Sequence, residues 1–494
     1  MRLVLGLLLA LGLAAGQQKL VGIYVHQHWS YHRPYAARTW TLEDWRGYAG
    51  GIHRLGYNAV MIWPVLETIP DPPTPSDGAH LEKMREVIDM LHSDFKMRVH
   101  IVLCPNVAPN AEAAKATFEQ RRFFYSDRRV DPGDQAALDA MLGVRARLLR
   151  YVAKADAINI IDSDPGGYPN STNRQFVDIL VAHRKLFDRL RPGIELNYWV
   201  HAGWPAYSRY YETSQFKSGT EPEFLEAFKL LAQANPEPWG LAGGLRYAPK
   251  AGLTGRVLSL NYGRIEGEPS FPMTNFGGDA AWQGGKDMGP RGVMGNAQTH
   301  CVQLPNTFAF ARGAQGIPVT DRDYEAFAND LIPGRGALIL QAWKALAGTS
   351  PGTMRATANE VEAVPASNLK TGPLRGLLFG SPSRFLNDLV LQLRLRAAAE
   401  ELYADTTPSR LAAFAESAER WQRRHGYENR WHWPALLKAL EKFDAPEIRE
   451  AIEPVIDEKG FDHVRRHYYL RETMTPRMLA AMKAAAARLQ RSAP

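Results

Sequence analysis

Between residues 19 and about 313, short β-branched and aromatic runs alternate with stretches whose apolar positions recur at helical spacing. That alternation marks βα units around a parallel sheet. It predicts strands at 21–26, 58–63, 98–105, 157–162, 195–201, 239–245, 256–262 and 292–300. Helices are expected at 42–55, 79–95, 134–154, 173–190 and 221–234, and the Gly-rich stretch 263–291 shows no helical pattern. Eight strands over this length match a closed (β/α)8 TIM barrel, which needs about 250 residues. An open doubly wound sheet would carry a Gly-rich phosphate fingerprint after its first strand, and none is present.

After about residue 319 the strand pattern vanishes and Ala, Leu, Arg and Glu recur at helical spacing, at 324–347, 384–404, 411–425, 433–443, 446–456 and 477–490. A Pro/Gly/Ser segment at 348–352 interrupts the run. The expectation is a helical C-terminal region, 320–494, packed on a barrel formed by 17–319. Residues 3–15 form an apolar run behind Met1-Arg2 that ends in small residues, Ala14-Ala15-Gly16. This pattern reads as a secretory signal over 1–16, too short for a bilayer span of about 20 residues, and implies a secreted or periplasmic protein.

Composition narrows the partners. The chain has 59 basic and 52 acidic residues, a net charge of +7 without clustering beyond doublets such as Arg121-Arg122 and Arg423-Arg424. A nucleic-acid surface would need a basic patch, so no nucleic-acid partner is expected, and no membrane span follows the leader. The two cysteines, Cys104 and Cys301, fall at strand ends three strands apart, beyond the roughly 7 Å reach of a disulfide.

In a parallel barrel the residues just past each strand build the site. Here they are His26-Gln27-His28-Trp29, Trp63 to Glu67, Asp162-Ser163-Asp164, Tyr198 to Trp204, Tyr262 to Glu268 and Asn296 to His300. Residues two apart in extended chain share a side, so Asp162 and Asp164 are expected to face one pocket, with Pro165-Gly166-Gly167 turning the chain away. Two carboxylates in a partly dry site cannot ionise equally, which leaves a proton donor beside an anion, the equipment for glycosidic cleavage. Glu67, Glu266 and Glu268 are further candidates for a second carboxylate. Trp63, Trp199, Trp204 and Tyr262 would wall sugar subsites, with His28, His201, Asn296 and His300 bonding hydroxyls. No cofactor or metal is expected. The alternative of a His/Asp metal cluster would draw on His26, His28, His201, His300 and Asp162, but the third and seventh strand ends supply neither a ligand Lys nor a further His.

The run Asp162-Ser163-Asp164-Pro165-Gly166-Gly167-Tyr168, with Trp-rich strand ends on an exported barrel, resembles the hexosaminidase-like glycoside hydrolases. In families 20 and 84 of these, two adjacent acids at the fourth strand end orient the substrate's acetamido group and protonate the leaving group; family 18 uses an alternating acidic motif there. This chain has alternating acids, and Gly166 stands where the family 18 pattern places a Glu. The resemblance implies a TIM-barrel glycosidase acting on an oligo- or polysaccharide, N-acetylated or other, with Asp164 as acid and Asp162 as the orienting anion. Two readings from other classes stay open: a non-catalytic carbohydrate-binding barrel, and a metal-dependent barrel hydrolase.

Overall fold

The computed structural model describes residues 18–29, 31–121, 123, 126–163, 166–213, 217–266, 273–426, 434–452 and 476–491. The expected leader at 1–16 lies outside the described residues, as do Asp164 and Glu268. At the centre is a closed barrel of parallel strands: β1 (Leu20–His26), β2 (Ala59–Trp63), β3 (Arg98–Leu103), β4 (Ala157–Ile161), β5 (Glu195–Trp199), β6 (Trp239–Ala242), β7 (Val257–Asn261) and β8 (Gly292–Ala297). Each strand pairs with its neighbours in sequence, and β1 closes the ring against β8.

All eight strands lie where the hydrophobic pattern places them, but β3, β5, β6 and β8 stop two or three residues short of the expected ends. After β3, β5 and β8 backbone N–H groups within three residues of the stop bond to a carboxylate instead of to the ladder, as detailed below, and β6 ends where Gly243 and Gly244 take positive φ.

Helices Leu42–Leu55, Asn173–Leu190 and Glu221–Ala234 match the expected ranges. Each opens with a capping box, Thr41 with Asp44, Thr172 with Gln175 and Thr220 with Glu223, which satisfies N–H groups that the first turn leaves without a partner. Four helices carry no clear periodicity and were not expected: Trp204–Thr213, Asp279–Lys286, Leu304–Ala314 and Pro351–Glu362. In Asp279–Lys286 the pair Gly284-Gly285 hides the pattern. A Cβ at Gly285 would overlap the Phe310 carbonyl of the next helix, so the residue is there for close helix contact, not for a turn. The helix expected over 324–347 is two, Asp321–Leu331 and Gly336–Ala347, split at Pro333-Gly334, where Gly334 has φ +76°.

The C-terminal helices pack directly on the barrel's β1 loop. Buried Asp388 accepts hydrogen bonds from the Tyr35 hydroxyl, from Arg384 Nη1 at 2.5 Å and from Arg424 Nε at 2.9 Å. The His425 ring lies 4.5 Å from both Tyr31 and Tyr35, and its carbonyl accepts from the His32 N–H at 2.8 Å. No described helix is long and apolar enough to cross a membrane.

Asp388→Ala leaves two guanidinium groups and a buried hydroxyl without their common acceptor. The expected cost is about 3 kcal/mol or more in chemical denaturation, with amide exchange accelerating in helix Pro408–His425 before the barrel strands.

Candidate active site

The barrel's inner face is fixed by register. Tyr24 pairs with Met61 and Asn296, His26 with Trp63, and Ile161 with Trp199, so these residues share the interior. Tyr24 and Trp199, on opposite strands, meet edge to face at 4.9 Å across the centre. From there the rings form an unbroken path at the C-terminal mouth. Trp63 and Phe123 are 5.1 Å apart; Trp63 lies 5.1 Å from His28, His28 4.8 Å from His26, and His26 3.9 Å from Tyr24. On the far side Trp199 is 6.5 Å from His201, and His201 is 6.1 Å from Tyr262. Gln298 Nε2 donates to the Tyr262 hydroxyl at 3.1 Å.

The cup therefore has a sealed floor and a wetter rim: Trp63 and Trp199 are only 1% and 2% exposed, whereas Tyr262 is half-buried and His201 exposed. Of the expected lining residues, His28, Trp63, Trp199, His201, Tyr262 and Asn296 come together here. Asn296 Oδ1 accepts from the Gly263 N–H at 3.0 Å, and its Nδ2 has no partner among the described residues.

Two expected lining residues do not reach the cup. Trp204 is fully buried in the helical layer, stacked on Phe176 at 5.2 Å. His300 sits behind β8 against Trp40 and Tyr48, with Nδ1 accepting from the Tyr48 hydroxyl at 2.7 Å; burial pushes it down to about 3, so it stays neutral. Both follow a strand end by several residues, after the chain has turned outward, and strand alternation no longer applies to them.

The carboxylates depart most from expectation. Asp162 does not face the cup: it follows inward Ile161 and shares the outward side with Tyr198, which packs on Phe176 and Phe228 of the surrounding helices. Its carboxylate accepts from the Tyr198 hydroxyl at 2.8 Å, the Ala202 N–H at 3.1 Å and the His201 N–H at 3.2 Å. Burial raises its pKa, opposed by His201, Tyr198 and these amides. Glu67 turns outward as well, into a cavity of about 130 Å³ against helix Gln135–Leu149. There it accepts from the Cys104 N–H at 2.6 Å and the Trp63 indole at 3.4 Å. Burial raises Glu67 too, with Arg145 opposing the rise. Glu266 accepts from the Gln298 and Thr299 N–H groups at 2.5 and 2.7 Å and from the Thr299 hydroxyl at 2.8 Å. Burial pushes it up to about 7 despite those donors.

The three follow one rule. A carboxylate at the end of β2, β4 or β7 captures the first free amides after β3, β5 or β8, respectively, and fixes the rim loop they begin.

Sequence reasoning missed several members of the site. Ser163 projects inward, where its Oγ meets His201 Nδ1 at 2.8 Å and accepts from the Ala202 N–H at 3.4 Å. Tyr24 shares the inward parity of His26 and Trp63, a signal that counting positions along β1 would have supplied. Gly167 shapes the following turn: it has φ +78°, a Cβ would press on the Ser208 nitrogen, and its carbonyl accepts from Asn106 Nδ2 at 3.0 Å.

For metals, His26 Nδ1 and His28 Nε2 stand 3.4 Å apart, sharing a proton, and no group of three or more candidate ligands occurs among the described residues. Cys104 and Cys301 are buried and unbridged.

No protein-family model and no curated protein matches the sequence. Among solved structures the chain is similar to a GH138 enzyme targeting pectin rhamnogalacturonan II, at 9% identity and a TM-score of 0.45, over 86% of this chain and 62% of that one. It is also similar to a Thermobaculum terrenum O-GlcNAc hydrolase, at 8% identity and TM-score 0.44, over 96% and 95% of the two chains. A third is a β-N-acetylhexosaminidase from Bacteroides fragilis, at 10% identity and TM-score 0.37, over 60% of this chain and 65% of that one. The chain thus spans less than two thirds of the length of the first and third of these enzymes.

Glu266 should make stability depend on pH. Below pH 4.5 both folded and unfolded states hold its proton. As pH rises from 4.5 to about 7 the unfolded state releases it first, so folding stability falls, by about 3 kcal/mol in all, and then levels off. Denaturation curves of Glu266→Gln between pH 5 and 8 should lack this fall; an identical slope in the variant would contradict the assignment.

Proposed function

We propose that the chain is an exported glycoside hydrolase whose substrate, an oligo- or polysaccharide, enters the aromatic cup at the barrel mouth. The observation that carries this is the continuous path of rings and imidazoles from Trp63 through Tyr24 and Trp199 to Tyr262. Sugars offer apolar C–H faces bordered by hydroxyls, and such a surface meets both needs, with His201 and Gln298 supplying polar contacts at the rim.

The proposed chemistry assigns protonation of the departing oxygen to Asp164, one residue beyond inward-facing Ser163 in the chain. Glu268, two residues past anchored Glu266, is the proposed second carboxylate, which faces the anomeric centre or activates the water that ends up on it. A separation of about 5–5.5 Å between them would go with retention and about 6.5–9.5 Å with inversion. Asp162, Glu67 and Glu266 take a supporting part: each is committed to backbone donors, so they position loops and do not exchange protons with substrate. His28 and His201 are proposed as hydroxyl partners, and export as cleavage after residue 16.

The same commitment of Asp162, Glu67 and Glu266 favours a second reading, a barrel that binds glycans without cleaving them. The two readings part on one experiment. Asp164→Asn and Glu268→Gln should each reduce hydrolysis of an active aryl glycoside or glycan by about 10²–10⁴-fold while leaving glycan binding measurable by calorimetry. Turnover within a few-fold of the parent in both variants would refute the acid assignment; binding with no turnover in the parent across a panel of glycosides would establish the second reading.

A further inference from the structure

We propose that a cavity of about 460 Å³ between the loop after β7 and the C-terminal helices binds the acid group of an anionic saccharide. The inference rests on the glycan-directed reading above for its ligand class and goes beyond it by naming the sugar's charge. The cavity is of ordinary ligand-site size, and it adjoins the cup: Gly263, on its wall, follows Tyr262 and donates to Asn296.

Two arginines line it, and no carboxylate does among the described residues. Arg264 comes from the barrel side. Its aliphatic stem lies against Gly284, where a Cβ would overlap its Cβ, Cγ and Cδ, so a glycine inside an eight-residue helix makes room for this side chain. The Arg264 side chain is exposed and makes no hydrogen bond or ion pair with the described residues, so its fork of donors on the cavity wall is open to an acidic ligand. Arg396 comes from the C-terminal helix Pro382–Ala404, held by Glu400 at 2.6 Å.

The rest of the lining tells a sugar from a bare inorganic ion. Met273, Phe276 and Leu346 present apolar surface, and Asn306 supplies an amide already fixed by Ile265 and Gly277. A free phosphate would leave the apolar wall unused. A pyranose uronate would place its C–H face there and its planar carboxylate in a guanidinium fork, a match that Arg makes in two parallel bonds.

Calorimetric titration of the full chain tests this with galacturonate and glucuronate trisaccharides, their carboxyl-reduced counterparts, and inorganic phosphate alone. At low salt at least one acid form should bind about tenfold tighter than its reduced counterpart, the loss expected from one charge-assisted bond. The preference should shrink at about 0.5 M salt. Arg264→Gln, on the surface and safe for folding, and Arg396→Gln should each remove most of the preference while leaving the reduced sugars within about twofold.

Equal affinity for acid and reduced forms, no binding of any acid form, a preference that survives both substitutions, or phosphate binding as tightly as the acid sugars would each overturn the proposal. Failure of the glycosidase reading looks different. Charge-dependent binding without turnover of any glycan sinks that reading and leaves this one, and turnover of neutral glycans with no charge preference does the reverse.

Discussion

The mouth of this barrel is held by buried carboxylates that bond to backbone amides. Where a parallel ladder ends, the next N–H groups lose their strand partners, and an unpaired buried amide is costly. Glu67, Asp162 and Glu266 each answer that need for the strand that follows their own, accepting from Cys104, from His201 and Ala202, and from Gln298 and Thr299. The loops that carry the cup's polar rim therefore begin from fixed points. His201 owes its position to a carboxylate that itself lies outside the cup, and Gln298 to one committed to backbone donors.

This arrangement divides the labour among acidic residues. An anion surrounded by amide donors cannot readily move a proton to a substrate, because each protonation breaks bonds that hold a loop. Burial pulls the other way and raises the pKa of all three, with Glu266 pushed up to about 7. The three anchors thus answer to the backbone of the next strand's loop, and each sits close in sequence to a further acidic or hydroxyl residue: Asp162 beside Ser163, Glu266 two residues before Glu268. The imidazoles divide similarly. His300 is locked neutral behind β8, whereas His201 stands at the rim with its Nδ1 held by the Ser163 hydroxyl.

The helical region is more than a cover. Through Asp388 it grips the β1 loop that presents His28 and Trp29, and His425 extends the ring path outward by way of Tyr31, which stacks on Trp29 at 6.1 Å. Through Arg396 it contributes a wall to the cavity beside β7. Barrel and helices therefore share surfaces at two points around the same mouth, which ties the shape of the cup to the docking of helices distant in sequence.

The eight strands, their closure into a barrel and the helical character of the C-terminal region were legible in the sequence, because burial on both faces of a parallel strand and on one face of a helix writes itself into local periodicity. So was the gathering of aromatics and imidazoles at strand ends: Trp63, Trp199 and Tyr262 fall one strand length from a predictable start. Helix Asp279–Lys286 was hidden, since Gly284 and Gly285 serve contacts with Arg264 and Phe310 that no local pattern encodes. The direction of Asp162 was decided only by tertiary structure. Period-two alternation does not say which face Asp162 takes, and the choice is made by Tyr198 and the amides of the next strand's loop, whose hydrogen bonds exist only once β4 and β5 lie side by side.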